Sequence, residues 1–492
     1  MPRPTIRLDA SPALLEKADL IGRFDAIRAQ AGVPAEFPPA VRAEAAAVIP
    51  QPSDADLTDL PFVTIDPAGA TDLDQAMHLT RGANGGYHVD YAIADVPAFL
   101  APGGAIAAEA MVRGQTIYAP DQHTPLHPPE LSEGAASLLP DVDRPAYVWR
   151  FDLDDQGTVT AFDLVRARVR SRRQLDYTQV QAALDAEAPG ELGELARLLR
   201  EIGERRQALE QARGGASLPL PEQEVAADDS KSGFTLRLRA ARPIEDWNAQ
   251  LSLMTGIAAA ELMMAAGVGV LRTLPPPDAT AMSRFRRQAV ALGISWPEEE
   301  SYGTFLRRLD GGQPKELALL HAAGALFRGA AYLPFDGGQA TVPPPEKAGH
   351  AAVASVYAHV TAPLRRLVDR FGLVAAHAAH RGHAVPDWLR AGLPLLPAAM
   401  AASDRLAGDV ERRCVDAVEV AVLTGRTGEE FDAVVVDADQ DGDGGRVQLL
   451  DPPVLSRCSG RLSPGETVRV RLDAVDETTS TLKFSAVPPN RP

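Results

Sequence analysis

Three aspartates set the chemistry to look for first. Asp66, Asp72 and Asp74 lie in TIDPAGATDLDQAM, Thr64 to Met77, between apolar Phe62, Val63 and Ile65 on one side and Ala76, Met77 and Leu79 on the other. These flanks put the acids where a core strand ends, a place in which an unpaired carboxylate is costly to bury. Three carboxylates together require cations, and an all-oxygen donor set favours a hard ion such as Mg²⁺ over zinc. Two such ions, roughly 3.5–4 Å apart, activate a water and stabilise the departing oxygen of a phosphodiester. Taken alone, the spacing also suits an acidic surface loop or a helix cap.

Two later stretches bear on the same chemistry. Tyr91 to Ala146 reads YAIADVPAFLAPGGAIAAEAMVRGQTIYAPDQHTPLHPPELSEGAASLLPDVDRPA, and Tyr357 to Arg370 reads YAHVTAPLRRLVDR. In the second, a proline fixes the backbone ahead of Arg365 and Arg366, with Asp369 one helical turn on. A guanidinium forks two hydrogen bonds to a phosphate and stabilises charge that develops in a transition state. From about Leu60 to Phe371, and in this order, the segments resemble the catalytic domain of the ribonuclease II and R family of 3′→5′ exoribonucleases, the RNB domain.

The resemblance implies an enzyme that processively hydrolyses single-stranded RNA to nucleoside 5′-monophosphates with one or two Mg²⁺ ions. It carries the family's acidic metal-binding motif onto Asp66, Asp72, Asp74 and Gln75, with Asp74 and Arg365 as catalytic residues. Arg366 then holds RNA phosphate or pairs with Asp369. Gln75 stands where the family has aspartate; its carbonyl reaches a metal directly or through water but brings no charge. Ala362 stands where the family usually has serine. Tyr118, in QTIYAPD, falls on the tyrosine that packs against the 3′-terminal nucleotide, and an aromatic face accepts any base. A core tyrosine with a bonded hydroxyl is the other reading of that residue. The tyrosine's usual aromatic partner is missing, and Val268 or a neighbour in GVGVLR takes its place. Glu300, in WPEEESY, is matched to a contact with the terminal ribose. Glu411, in VERR, is matched to a late motif lining the site and reads equally as a surface helix acid. Two further outcomes stay open: an RNA-binding relative in which Gln75 has removed a metal site, and a Mg²⁺-dependent phosphatase built on Asp72 and Asp74.

The elements that must position these residues are legible in outline. Short β-type runs (FVTID, YHVDYAIADV, AYVWRFDLD, VTAFDLVRARVRS) alternate with alanine-rich amphipathic segments, giving an α+β fold. Ser11 and Pro12 read as a helix start, with Leu14, Ile21, Phe24 and Ile27 near one face and Gly32 as the stop; a second helix spans Pro39 to Val48. Residues 1–58 make a small helical or winged-helix module, or a lid on the catalytic domain; they are too short for the tandem cold-shock barrels that usually precede the family's catalytic domain. Residues 59–424 make the catalytic domain. Residues 425–492 switch to strands (EFDAVVV, RVQLL, TVRVRLDAV, STLKFSAV), an OB-type barrel whose only aromatics are Phe431 and Phe484.

Composition bounds the rest. With 45% hydrophobic and 23% charged residues the chain is of ordinary globular type, and its net charge is −17. Phosphate binding then relies on local arginine clusters: Arg166 to Arg173, Leu236 to Arg242, Arg284 to Arg287 and Leu364 to Arg370. No apolar run approaches the ~20 residues of a membrane span, and MPRPTIRLDA lacks a signal-peptide core, so a cytoplasmic protein without membrane contact is expected. Cys414 and Cys458 show no metal-ligand spacing and no disulfide framework. DADQDGDGGRVQ, Asp437 to Gln448, mimics a calcium loop but has Gln448 where the bidentate glutamate belongs, and reads as a hairpin turn. His377, His380 and His383 read as polar residues on a solvated face.

Overall fold

The acidic stretch grows out of a strand whose neighbours bury it on both faces. In the computed structural model, which describes residues 6–9, 19–82, 85–228, 233–337, 345–439 and 443–488, Phe62–Asp66 belongs to a six-stranded sheet. The order across it is Ala55–Asp56, Val159–Asp176, Phe62–Asp66, Gln75–Arg81, Tyr87–Ala94, Asp143–Leu153. The long strand Val159–Asp176 pairs three times: its first part runs antiparallel to Asp143–Leu153, Ala167 and Arg168 run parallel to Ala55–Asp56, and Ser171 to Asp176 run parallel to Phe62–Asp66, which closes the sheet on itself. Side chains alternate across a strand. In Tyr87–Ala94, Val89, Tyr91 and Ile93 therefore enter one core, while Ala92 and Ala94 enter another with Phe62, Leu73 and Phe99.

Helices cover the first core. Pro243–Ala266, capped by Gly267 in the left-handed region, buries Leu251, Met254, Ala258 and Met263 against it. By length and composition alone this is the one helix among the described residues that is apolar enough to cross a membrane. Its methionines fill core space, as their helical spacing predicts. Only glycine fits at position 256 of this helix, because a Cβ there would lie 2.2 Å from the Tyr357 ring and 2.5 Å from the Ala358 carbonyl. The absent side chain lets the segment that leads to Arg365 pass close by.

The C-terminal strands form a closed five-stranded barrel of the OB type: Glu430–Ala438, Gly444–Leu449, Leu455–Ser459, Thr467–Asp476 and Thr481–Ala486. Leu455–Ser459, with only one buried residue, gives too weak an alternation to be read from sequence. Phe431 and Phe484 do not face outward to stack bases; both are buried, with ring centroids 6.1 Å apart inside the barrel. The Asp437 to Gln448 stretch is the hairpin between the first two strands, with Ala438 paired to Gly445; residues 440–442 lie outside the described residues.

Leu20–Ala31, closed by Gly32, packs with Leu396–Leu423 and the barrel in one cluster that includes Phe24, Ile27, Val410 and Phe431. The expected helix start at Ser11 and Pro12 lies outside the described residues. Pro39–Ala47 is helical, and Ile6–Asp9 runs parallel to Glu222–Asp228. Cys414 and Cys458 are free and buried, and burial pushes their thiols up to about 12 and about 11.

Most arginines of the clusters are engaged within the chain. Arg166 pairs with Asp95, Arg168 with Asp56 and Arg170 with Asp143, while Arg239 takes Glu222 and Glu245. The histidines of the Leu367–Arg381 helix are not on a solvated face. His380 bonds Asp163 at 2.8 Å and stacks on Phe162, and His377 packs edge-on to Tyr147.

Glu419, buried under the barrel on Leu396–Leu423, gives the fold a pH dependence. Burial pushes its carboxyl up to about 8, although Gln223 donates a hydrogen bond to it. The unfolded chain ionises this group near its ordinary value of 4.5, so folding favours the protonated form. Stability from this residue is full below that value and is lost as pH rises towards 8. Glu419→Gln should therefore exceed the parent in Tm by more at pH 8 than at pH 5, by roughly 1 °C for each kcal/mol involved. Thermal scans at the two pH values check this; equal gaps would contradict it.

Candidate active site

One loop and one strap of backbone build the site. Phe62–Asp66 ends at Asp66, and the chain loops through Gly69, in the left-handed region at φ 82°, to start the next strand at Gln75. Leu73 anchors this loop in the core with no exposed surface. Ser137 clamps it: its hydroxyl accepts from the Leu73 N–H at 3.0 Å and donates to the Thr71 carbonyl at 2.7 Å. With Leu73 buried, Asp72 and Asp74 are fixed on either side of it.

The strap is Thr361 to Leu367. The Thr116 N–H donates to the Arg365 carbonyl at 2.9 Å, and the Leu367 N–H donates to the Gly114 carbonyl at 2.9 Å. Asp369, with no exposed surface, accepts the Ala362 N–H at 2.6 Å and holds Arg366 through Nε at 2.9 Å and Nη2 at 2.8 Å. Arg366 is thus a brace of the strap, forked onto Asp369. Buried His127 backs onto the Pro363 carbonyl; burial, with Arg370 nearby, pushes its imidazole down to about 3, so it stays neutral.

Loop and strap meet at Asp74, which is 3% exposed. The Leu364 N–H donates to its Oδ1 at 2.8 Å, and Arg365 Nε donates to its Oδ2 at 3.3 Å. Burial pushes the carboxyl of Asp74 well above the carboxylate range, opposed by Arg365 and the Leu364 N–H. Among the described residues, Nη1 and Nη2 of Arg365 have no protein partner. Tyr118, at the end of Ile117–Tyr118, comes beside them because the same segment is tied to the strap. Its hydroxyl donates to Asp72 Oδ2 at 3.2 Å, and its ring lies 5.9 Å from that of His123. Arg365 and Tyr118 keep 45% and 47% of their surface accessible; burial, with Asp72 beside it, raises the tyrosine, while burial of Arg365 is outweighed by Asp74 and its guanidinium is raised. Water reaches both side chains, which border a recess where loop and strap meet.

The residues around the recess are short of positive charge. Asp66 Oδ2 is buried without a partner, and burial pushes its carboxyl up to about 7, with Arg365 opposing and Asp72 adding to the shift. Among the described residues no group of three or more acids, histidines or cysteines is already set to hold a metal ion. Asp74 is engaged by Leu364 and Arg365. Gln75 is engaged at both ends: Nε2 donates to the Thr361 carbonyl at 2.5 Å, and Oε1 accepts from the Tyr91 hydroxyl at 2.8 Å. Asp66 and Asp72 remain as oxygen donors with spare capacity, a pair that suits a hard cation whose other ligands are water and phosphate oxygen.

Glu300 and Glu411 lie in other neighbourhoods. Arg308 bonds both carboxylate oxygens of Glu300, whose loop packs near Phe285, Trp296 and Phe305. Glu411 lines a cavity of about 1070 Å³ between Leu396–Leu423, Ala279–Ala291 and the barrel. Val268 is buried in the main core. The sequence reasoning missed Tyr91, which bonds both Gln75 and Ser252, and also Ser137 and His127. Each reaches the site by a contact across the fold that no local spacing encodes.

Residues 54–378 match the RNB domain, and residues 429–487 match the RNase II-type exonuclease C-terminal S1 domain. Ribonuclease R of Chlamydia muridarum is 27% identical over 365 residues, which cover 70% of this chain and 50% of that protein. The chain thus spans about half the length of the curated relatives it matches. In fold it is similar to Mycoplasma genitalium RNase R, solved with ribose-methylated single-stranded RNA, at a TM-score of 0.84 and 19% identity over 95% of this chain and 78% of that one. It is also similar to yeast Ssd1, described as a pseudonuclease, at a TM-score of 0.69 and 15% identity over 92% and 58% of the two chains. With two thirds of its length matched by one domain and its barrel by the other, the chain belongs to the RNB domain family and ends in an RNase II-type S1 barrel.

Proposed function

We propose that the protein is a 3′→5′ exoribonuclease that takes the end of single-stranded RNA into this recess and releases nucleoside 5′-monophosphates. The observation that carries this is the Arg365 to Asp74 pair, joined across 291 positions of sequence with the guanidinium's outer nitrogens left without a protein partner among the described residues. A fork of donors facing an acidic recess is suited to a phosphodiester. Arg365 binds the scissile phosphate through Nη1 and Nη2 while Asp74 holds it by Nε. Asp74, whose pKa burial raises, is placed to receive the proton that the attacking water loses. Tyr118 supports the terminal base with its ring and orders Asp72 with its hydroxyl. Arg366 acts through Asp369 as a positioning residue. Asp66 and Asp72 would hold Mg²⁺, which supplies the positive charge that lowers the barrier to attack and departure at phosphorus. The catalytic unit is residues 59–424, with 425–492 as the RNA-holding barrel.

The test is turnover of 5′-labelled oligo(A) with Mg²⁺. A ladder shortening by single nucleotides, with 5′-AMP released, is expected; intact RNA at every Mg²⁺ concentration would contradict it. Gln75 motivates a second reading, an RNA-binding protein without turnover, because its amide is fully engaged by Tyr91 and Thr361 and brings no charge. Gln75→Asp separates the two. In the nuclease it should lower the Mg²⁺ needed for half-maximal rate about tenfold, the scale on which groups around a metal tune its affinity. Turnover that appears only in Gln75→Asp would favour the second reading.

A further inference from the structure

One face of the Leu367–Arg381 helix lines a separate pocket of about 480 Å³ that the nuclease chemistry does not use. Its apolar walls include the rings of Tyr147, Phe371 and Trp388. Arg370, 5% exposed, lines it, and its Nε and Nη1 are buried without any hydrogen-bond partner. No carboxylate among the described residues forms an ion pair with this guanidinium. The Phe371 and Trp388 rings lie 4.9 Å and 5.6 Å from it, contacts that soften a buried charge but do not neutralise it. The other charged groups of the lining do not answer it either. Arg166 is already matched by buried Asp95 at 2.8 Å, and Asp54 turns more than half of its side chain to solvent. His377 adds a second buried nitrogen without a hydrogen bond, Nε2, with Asp54 3.9 Å away.

An uncompensated buried cation is strongly unfavourable, and an anion beside it relieves the cost. Flat apolar walls beside a cation select an anion that carries a ring, and the volume is within the range of pockets that enclose small organic ligands. We propose that this pocket binds a nucleoside monophosphate, its phosphate at Arg370 and its base against Tyr147, Phe371 and Trp388. The site stands independently of the nuclease reading, because none of its lining residues belongs to the recess around Asp74.

Calorimetric titration of the full chain in EDTA, with 5′-AMP as the probe, tests it. AMP should bind, and adenosine and ribose 5-phosphate should each bind at least tenfold more weakly, because one lacks the charge and the other the aromatic base. Arg370→Met should weaken AMP at least tenfold, whereas Arg365→Ala should leave it unchanged, which separates this pocket from the recess. Trp388→Leu provides a second variant should Arg370→Met fail to fold, and it should also weaken AMP. No binding at millimolar AMP, affinity untouched by Arg370→Met or Trp388→Leu, adenosine binding as well as AMP, or affinity lost in Arg365→Ala would each overturn it.

Discussion

On the proposed reading, Arg365→Ala should lower mononucleotide release by about 10³-fold, the scale of a lost arginine or oxyanion donor at a phosphoryl or acyl centre. The size follows from the position of the side chain. Its Nε is fixed by Asp74, its carbonyl is fixed by the Thr116 N–H, and its outer nitrogens face the recess. Preorganised donors cost no reorganisation when charge develops, so their loss falls on kcat rather than on KM. Arg365→Lys recovers little, because an ammonium offers a point charge where a fork is needed. The strap does not depend on the guanidinium: Ala362, Leu364 and Leu367 keep their backbone bonds, so Tm should stay close to that of the parent. A loss in KM alone, or a matching collapse of Tm, would mean that Arg365 serves binding or folding.

Asp74→Asn should slow release by about 10²–10⁴-fold, the range of a lost general base. The amide oxygen can still accept the Leu364 N–H, so the loop and strap remain joined. Its amide nitrogen, however, faces Arg365 Nε as donor against donor and can no longer receive a proton. Because burial already disfavours the ionised carboxylate at this position, the substitution should not lower Tm. RNA affinity should change by no more than a few-fold, since on the proposed reading the groups that would touch RNA are Arg365 and Tyr118. Filter binding beside single-turnover rates separates these effects. Wild-type rates in the Asn variant would remove Asp74 from the chemistry.

What the sequence made legible was local. The acids in TIDPAGATDLDQAM stand where an apolar strand ends, and a period-two run followed by Pro and Gly marks that ending without help from the rest of the chain. The proline before Leu364 and Arg365 likewise announces a strap leading into a helix. Long alanine-rich helices and the barrel hairpins follow from periodicity and turn residues. The remainder depends on contacts distant in sequence. Gln75 reads as a weakened metal ligand, but only the fold shows its amide bridging Tyr91 and Thr361. Phe431 and Phe484 read as base-stacking aromatics because a barrel's inner and outer positions alternate and sequence alone does not fix the phase. The arginine run from Arg166 reads as a basic patch, yet three of its members pair with Asp95, just past a strand end, and with Asp56 and Asp143 on other strands. Glu300 was matched by neighbouring residue types, and its partner Arg308 places it elsewhere.

The most direct test is the structure of Asp74→Asn with a short oligo(A) and Mg²⁺. The terminal phosphodiester should lie within hydrogen-bond distance of Arg365, the ion should touch Asp66 and Asp72, and the last base should rest on Tyr118. RNA bound with its 3′ end outside the recess, or a terminal phosphate out of reach of Arg365, would contradict the assignment.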